Sequence, residues 1–317
     1  MPSMPLYISH LGHGEACPPP PGEFINATAV FFGFEADLGA MDNLVQTLLQ
    51  PAAQGKVTYT CPINFAMISF IDTERCSAPA ENIGWLPARE TALWVPLLER
   101  WEGSIFPDRL LLWSPYTFIN YDIGQIIGRE VWGWPKVGAT IEIATDSPTT
   151  TAHFGCKTTF FPVFDPTQRG VTDTLLSVDG TKPIDMSNVA WNSGTDAVEA
   201  FVSMFLDSLS RNLLDDLWLQ PIVPVVALKQ FRDSNAVTLA CYQALVNSPV
   251  KITQFYGGGI LDDTFTLTVT TCASHTIIAD FLGVPPTPGS TTVPMTWAVW
   301  MQFDFQALPG STIVQAS

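Results

Sequence analysis

The residues best suited by type and spacing to do chemistry fall in one stretch, Gly128-Arg129-Glu130-Val131-Trp132-Gly133-Trp134-Pro135-Lys136-Val137. A lysine set among two indoles, a proline and a valine loses hydration, and that loss disfavours its ammonium form. An amine that is neutral near pH 7 attacks a carbonyl carbon and forms a Schiff base. Pro135 keeps Trp134 out of the helical region, so the stretch is expected to be extended and pre-set around Lys136. The same surroundings also suit a lysine whose stem covers aromatic surface while its head reaches water. Composition alone leaves both readings open.

Other chemistries lack their residues. The four histidines, His10, His13, His153 and His275, show no ligand spacing, and no CxxC pair exists, so neither a metal nor a cofactor is expected. Gly257-Gly258-Gly259 lacks a phosphate-loop context and reads as a turn or bulge, and Asp262-Asp263 reads as a hairpin turn. No GxSxG elbow is present. Thirty Asp and Glu against fourteen Lys and Arg give a net charge of −16, which disfavours nucleic acid and anionic membrane surfaces as partners. The most apolar run, Leu217 to Leu228, is short and broken by Gln220, Pro221 and Pro224, so no membrane span is expected. The amino terminus lacks the pattern of a secretory signal, and the six cysteines lie far apart. They read as reduced thiols of a cytoplasmic protein.

The elements that must position Lys136 are mostly strands. Residues 1–23, ending in Pro18 to Pro21, read as an extended arm, and 24–317 as a single domain. FINATAVFFGF is strand-like, and a helix follows Asp37 and stops at Pro51. Lys56 to Thr60, Asn64 to Ile71 and Thr91 to Leu97 are strand candidates, the last two separated by turn-rich Thr73 to Pro87. Val137 to Ala144 alternates as a strand with one buried face, and Thr151 to Phe164 reads as a strand pair. The longest helix is expected from Ser193 through Leu209, with Val198, Phe201, Val202 and Phe205 on one stripe. VTLACYQALV, VKITQFYGG and TFTLTVTTC are further strands, His275 to Leu282 a short helix, and MTWAVWMQFDF a final strand. Many short strands with few helices indicate an α+β, β-rich domain built on a barrel or curled sheet.

GREVWGWPK resembles the segment Gly-Arg-Glu-x-x-x-aromatic-Pro-Lys of the acetoacetate decarboxylase superfamily. The resemblance runs from about Phe24 to Phe305 and includes FFGFEADLGAMDNLV, INFAMISFIDT, RETALWVPL, PVVALKQFRDSNAVTLACYQALVNSPVKITQFYGGG and ASHTIIAD. It implies a closed β-barrel or cone with a few flanking helices, an apolar central cavity and a homo-oligomer. By the same resemblance Lys136 is the Schiff-base lysine and Glu90 one of two active-site glutamates. The other glutamate falls at Ala66, the carboxylate-holding arginine near Ala27, and a second lysine at Val137. Only the apolar route to an activated lysine then remains. Arg75 and Arg89 are nearby in sequence, but nothing marks either as a replacement.

These departures point to a larger and greasier substrate than acetoacetate. Trp132, Trp134, Trp94, Trp85 and Trp113 are candidates to bind it, with Arg129 and Glu130 of the same motif. The same tryptophans equally suit a core. The expected protein is a lyase acting on a bulky apolar carbonyl compound, a β-keto acid or polyketide-type molecule, through an iminium on Lys136. Decarboxylation, aldol, dehydration and cyclisation all remain open, with Glu90 moving the proton. The rivals are a non-covalent cyclase, in which Lys136 only donates a hydrogen bond or charge, and a binding protein that kept the fold. The covalent reading requires the Lys136 nitrogen to lie dry inside the fold, neither on the outer wall nor pinned to a buried acid as a permanent ion pair.

Overall fold

The computed structural model describes residues 6–8, 17–81, 83–106, 108–146, 150–197, 222–285 and 287–316. The chain opens with β1 (Gly22–Glu35), then α1 (Leu38–Leu48) and α2 (Gln50–Ala53). Asp37 caps α1 by accepting from the Ala40 amide at 2.7 Å, and Pro51 sits in the first turn of α2, where its missing N–H costs nothing. Next come β2 (Val57–Thr60), β3 (Phe65–Ser77), β4 (Trp85–Trp101) and β5 (Arg109–Ile119). The segment expected to be turn-rich, 73–87, is instead largely strand, with its turn confined to the β3–β4 tip. After α3 (Asp122–Ile127) follow β6 (Lys136–Glu142), β7 (His153–Phe160) and β8 (Val171–Gly180). Beyond a helical start at 194–197, the helix expected through Leu209 lies outside the described residues.

The chain continues with β9 (Ile222–Val223), β10 (Val225–Arg232), β11 (Ala240–Asn247), β12 (Val250–Ile260) and β13 (Phe265–Thr270). It closes with α4 (Ile277–Leu282), β14 (Ser290–Pro294), β15 (Trp297–Ala307) and β16 (Ser311–Gln315), so β15 is not the last strand. Gly257-Gly258-Gly259 lies within β12, next to a register shift against β15, and so marks a bulge rather than a turn.

The expected closed barrel is not formed. The sixteen strands make one mixed sheet whose main path runs from β14 through β13, β8, β7, β6, β5, β4, β3, β1, β15 and β12 to β9. Closure requires the two edges to hydrogen-bond in a common stagger. Here β14 and β9 end the path without pairing each other, and the sheet forks at β5, which takes both β6 and β10 as parallel partners. Register shifts in the β1–β15, β12–β15, β3–β4 and β4–β5 ladders curl the sheet without joining its ends. The β-rich character with few helices stands; the closure does not.

Strand alternation then sorts the side chains. Val30, Phe32 and Phe34 of β1, Ile68 and Phe70 of β3, and Leu93, Val95 and Leu97 of β4 face the main core beneath α1, α2 and α4. Their neighbours Phe31, Met67, Ile71, Glu90 and Trp94 face the opposite way and wall a cavity. At 0 % exposure, Phe32 meets Phe154 and Phe265 edge-on at 5.1 and 4.9 Å between centroids, which joins the two halves of the sheet.

A three-strand clamp lies at the surface of the second half. His153 of β7 bonds Asp179 of β8 at 2.6 Å and Glu142 of β6 at 3.1 Å. Partial burial pulls the imidazole pKa down, but the hydrogen bonds and charges of Asp179 and Glu142 outweigh it, and the net shift is upward. The clamp therefore stabilises fully below the unfolded histidine value of about 6.5 and fades as pH rises through the higher folded value. His153→Ala is expected to lower the melting temperature near pH 5.5 and to have little effect near pH 9. The three side chains are about half exposed, so added salt shrinks the difference.

Candidate active site

Lys136 is placed by a change of helix type and one glycine. Gly128–Trp132 is not extended, as expected, but a π-turn continuing α3. Gly133 ends it at φ 78°, where a Cβ would stand 2.8 Å from the Lys229 backbone of β10. The extended run begins only at Trp134, whose amide bonds Gly128 O at 2.8 Å; Pro135 follows, and Lys136 opens β6 opposite Thr117 of β5. Trp132 is anchored at its indole by Leu308 O, 2.9 Å away, and at its carbonyl by the Ser248 hydroxyl, also at 2.9 Å. Its ring stacks on Trp134 at 5.3 Å and 22°.

The Lys136 side chain is 4 % exposed and runs across the bare face of Gly128. A Cβ there would overlap Cδ and stand 2.8 Å from Cε, so the amine reaches its position only because residue 128 has no side chain. Gly128→Ala is expected to slow covalent trapping of Lys136 by roughly a hundredfold, the effect of about 1 Å of misplacement, while the far-ultraviolet spectrum stays native.

The Lys136 Nζ meets two groups. It lies 4.8 Å from the Trp134 ring centroid, within cation–π range. It also forms a direct ion-pair contact with Glu90 Oε2. Glu90 stands in β4 between Ile71 of β3 and Ile119 of β5, with its side chain 20 % exposed. The expectation of an amine kept neutral by carbon alone is thus corrected. The nitrogen is inside the fold, but it shares its site with a carboxylate.

Two chambers meet at Lys136. The larger has about 180 Å³ open to the centre of a water-sized sphere, and its only ionisable lining residues among those described are Glu90 and Lys136. Its walls are mainly carbon, from Phe31, Ile71, Ile252, Met301 and Phe303, with Trp94 and Trp134. The Trp94 indole N–H is taken by Ser69 Oγ at 2.9 Å, which leaves its ring to the cavity. Ser114 and Thr117, bonded to each other at 2.9 Å, add two hydroxyls. The smaller chamber, about 110 Å³ by the same measure, lies between Trp132, Trp85, Cys76 and Tyr121.

The structure therefore brings Lys136, Glu90, Trp94 and Trp134 to one chamber, and Trp132 and Trp85 to the other. Trp113 lines neither and packs in the main core, because alternation on β5 sends Leu112 and Ser114 to the cavity and Trp113 the other way. Arg129 turns its guanidinium to the Lys136 carbonyl, 3.4 Å away, and Glu130 is exposed near Cys17 and Lys229, so neither lines a chamber. Ala66 and Ala27 are fully buried, and Val137 is half-buried against the main core. Arg75 lies over the Trp85 ring at 5.3 Å, and Arg89 pairs with Asp72 at 3.1 Å; neither lines the larger chamber.

Cys76 and Tyr121 were not singled out from the sequence, since no local pattern marks either. Burial pushes the Cys76 thiol up to about 12 against the pull of the Lys136 charge, and burial likewise raises the Tyr121 hydroxyl. Among the described residues no helix is long and apolar enough to cross a membrane.

No family profile and no curated protein sequence matches the chain. Solved structures do. Acetoacetate decarboxylase from Legionella pneumophila superimposes with a TM-score of 0.59 at 15 % identity, covering 99 % of this chain and 93 % of its own. The enduracididine biosynthesis enzyme MppR, bound to the condensation product of pyruvate and imidazole 4-carboxaldehyde, gives 0.57 at 14 % over 98 % and 95 %. An acetoacetate decarboxylase-like enzyme from Sphingomonas wittichii RW1 gives 0.52 at 12 % over 93 % of each chain. The chain has the acetoacetate decarboxylase-like fold, across almost its whole length. At these identities the fold is what is shared.

Proposed function

We propose that the protein is an enzyme acting on a bulky apolar carbonyl compound through an iminium on Lys136. The observation that carries this reading is a buried amine at the edge of a cavity otherwise lined, among the described residues, by uncharged groups; its partner Glu90 is 20 % exposed and faces that cavity, so it is not the buried acid of a permanent ion pair. The neighbours in structure are named as a decarboxylase and as an enzyme holding a pyruvate–aldehyde condensation product, which fits carbonyl chemistry on this fold.

Nζ attacks the carbonyl carbon, the oxygen leaves as water with two protons, and a protonated C=N bond remains. Glu90 donates and recovers the proton at each stage. The iminium then draws electrons from the adjacent carbon, which loses either carbon dioxide or a proton. The resulting enamine is reprotonated or adds to a second carbonyl. Among the described residues no arginine lines the larger chamber to hold a carboxylate, which favours aldol, dehydration or cyclisation over decarboxylation. A reducing compartment suits the protein, whose six cysteines are all free.

The Glu90 contact also supports a second reading, in which Lys136 stays charged and acts only as a donor to a substrate folded in the cavity. Sodium borohydride treatment with aryl and long-chain methyl ketones, read by intact mass and peptide mapping, separates the two. A reduced adduct on Lys136 is expected. If no carbonyl compound gives one, the covalent reading fails.

A further inference from the structure

We propose that the substrate is an unsymmetrical ketone straddling Lys136, with its apolar arm in the larger chamber, a short or polar arm in the smaller one, and proton transfer confined to the α-carbon of the apolar arm. This rests on the Schiff-base reading above and adds its regiochemistry. Lys136 belongs to the lining of both chambers, so an iminium carbon bonded to Nζ carries one substituent toward each.

The two sides differ in ways that sort the arms. None of the described residues lining the larger chamber is exposed, and an apolar arm gains most by burial there. The smaller chamber reaches solvent at the β3–β4 tip, where Ile83, Trp85 and Leu86 are 43 %, 52 % and 45 % exposed. A short or polar arm loses little by staying near water at that opening.

The acid–base group lies on one side only. Glu90 lines the larger chamber and is not among the residues lining the smaller, although its charge is felt there by Cys76 and Tyr121. Among the described residues, the ionisable groups of the smaller chamber other than Lys136 are Cys76 and Tyr121, and burial favours the protonated form of both, so neither serves as a base at neutral pH. When the iminium loses an α-proton, the C–H electron pair becomes the C=C bond, the C=N pair moves to nitrogen, and the proton goes to the Glu90 carboxylate. The reverse step returns it to the same carbon. The arm on the Glu90 side therefore exchanges faster.

The test uses the intact protein with nonan-2-one in D₂O, followed by NMR, with a parallel borohydride sample and Lys136→Ala as the background. Deuterium is expected at C3, on the long arm, at least about tenfold faster than at the C1 methyl group, as acid–base assistance on one side alone requires. An adduct on Lys136 with equal or faster exchange at C1, or with no exchange above background at either carbon, overturns the regiochemistry and leaves the Schiff base standing. Absence of any Lys136 adduct with nonan-2-one and with the wider ketone set overturns the covalent reading and this inference together.

Discussion

Lys136→Ala is expected to abolish the borohydride-trapped adduct and to lower turnover of the true substrate by roughly 10⁴-fold or more, the scale on which loss of a covalent nucleophile is felt. The variant should still fold, because it trades a buried amine for a methyl group beside Trp134 and leaves Glu90 with access to the cavity. Lys136→Arg sharpens the result. A guanidinium keeps the positive charge and the donors but forms no iminium under these conditions. Under the covalent reading it is as inactive as alanine; turnover within about tenfold of wild type would instead mark Lys136 as an electrostatic group. Steady-state turnover with circular dichroism as a folding control decides between them.

Glu90→Gln is expected to lower turnover by roughly 10²- to 10⁴-fold, the usual contribution of a positioned acid–base group. The amide oxygen still accepts a hydrogen bond from Nζ, so the lysine stays in place, but no proton can be stored beside it. Adduct formation should slow, yet still reach completion on long incubation, since attack by the amine does not consume Glu90. Loss of the adduct altogether, with the fold intact, would mean that Glu90 is needed to hold the lysine rather than to move protons. Time-resolved trapping read by intact mass separates the two outcomes.

The sequence marked Lys136 well because its cue is local. Indole, proline and lysine follow one another in a chain poor in lysine, and Pro135 dictates the backbone at Trp134. Glu90 was reached only through resemblance, since nothing in RETALWVPL distinguishes it from a solvated strand glutamate. The tryptophans were less legible. Trp94 and Trp113 sit in similar apolar strands, yet Ser69 and the cavity receive one while the main core receives the other. Which face a strand buries depends on what packs against it, and register shifts reset the parity along β4 and β5.

The helical state of Gly128–Trp132 was hidden because glycine, valine and tryptophan argue against a helix, while packing of Gly133 on β10 and the anchors at Leu308 and Ser248 enforce the turn. Barrel closure was read wrongly for a similar reason. Whether two edges of a sheet meet is decided by strands far apart in the chain, here β9 and β14, and no short-range pattern records it.

Lys136, Val137 and Gly138 have a ladder partner on β5 only; the ladder to β7 begins at Ala139. The reactive residue thus sits on a seam of the sheet, held by fewer backbone bonds than the strands to either side. Local opening favours stretches with a ladder partner on one side only, of which this is one. Gentle warming should therefore silence the protein while most of its amides remain shielded from deuterium, and cooling should restore it. Its working range is then expected to be set by this seam rather than by the aromatic interior.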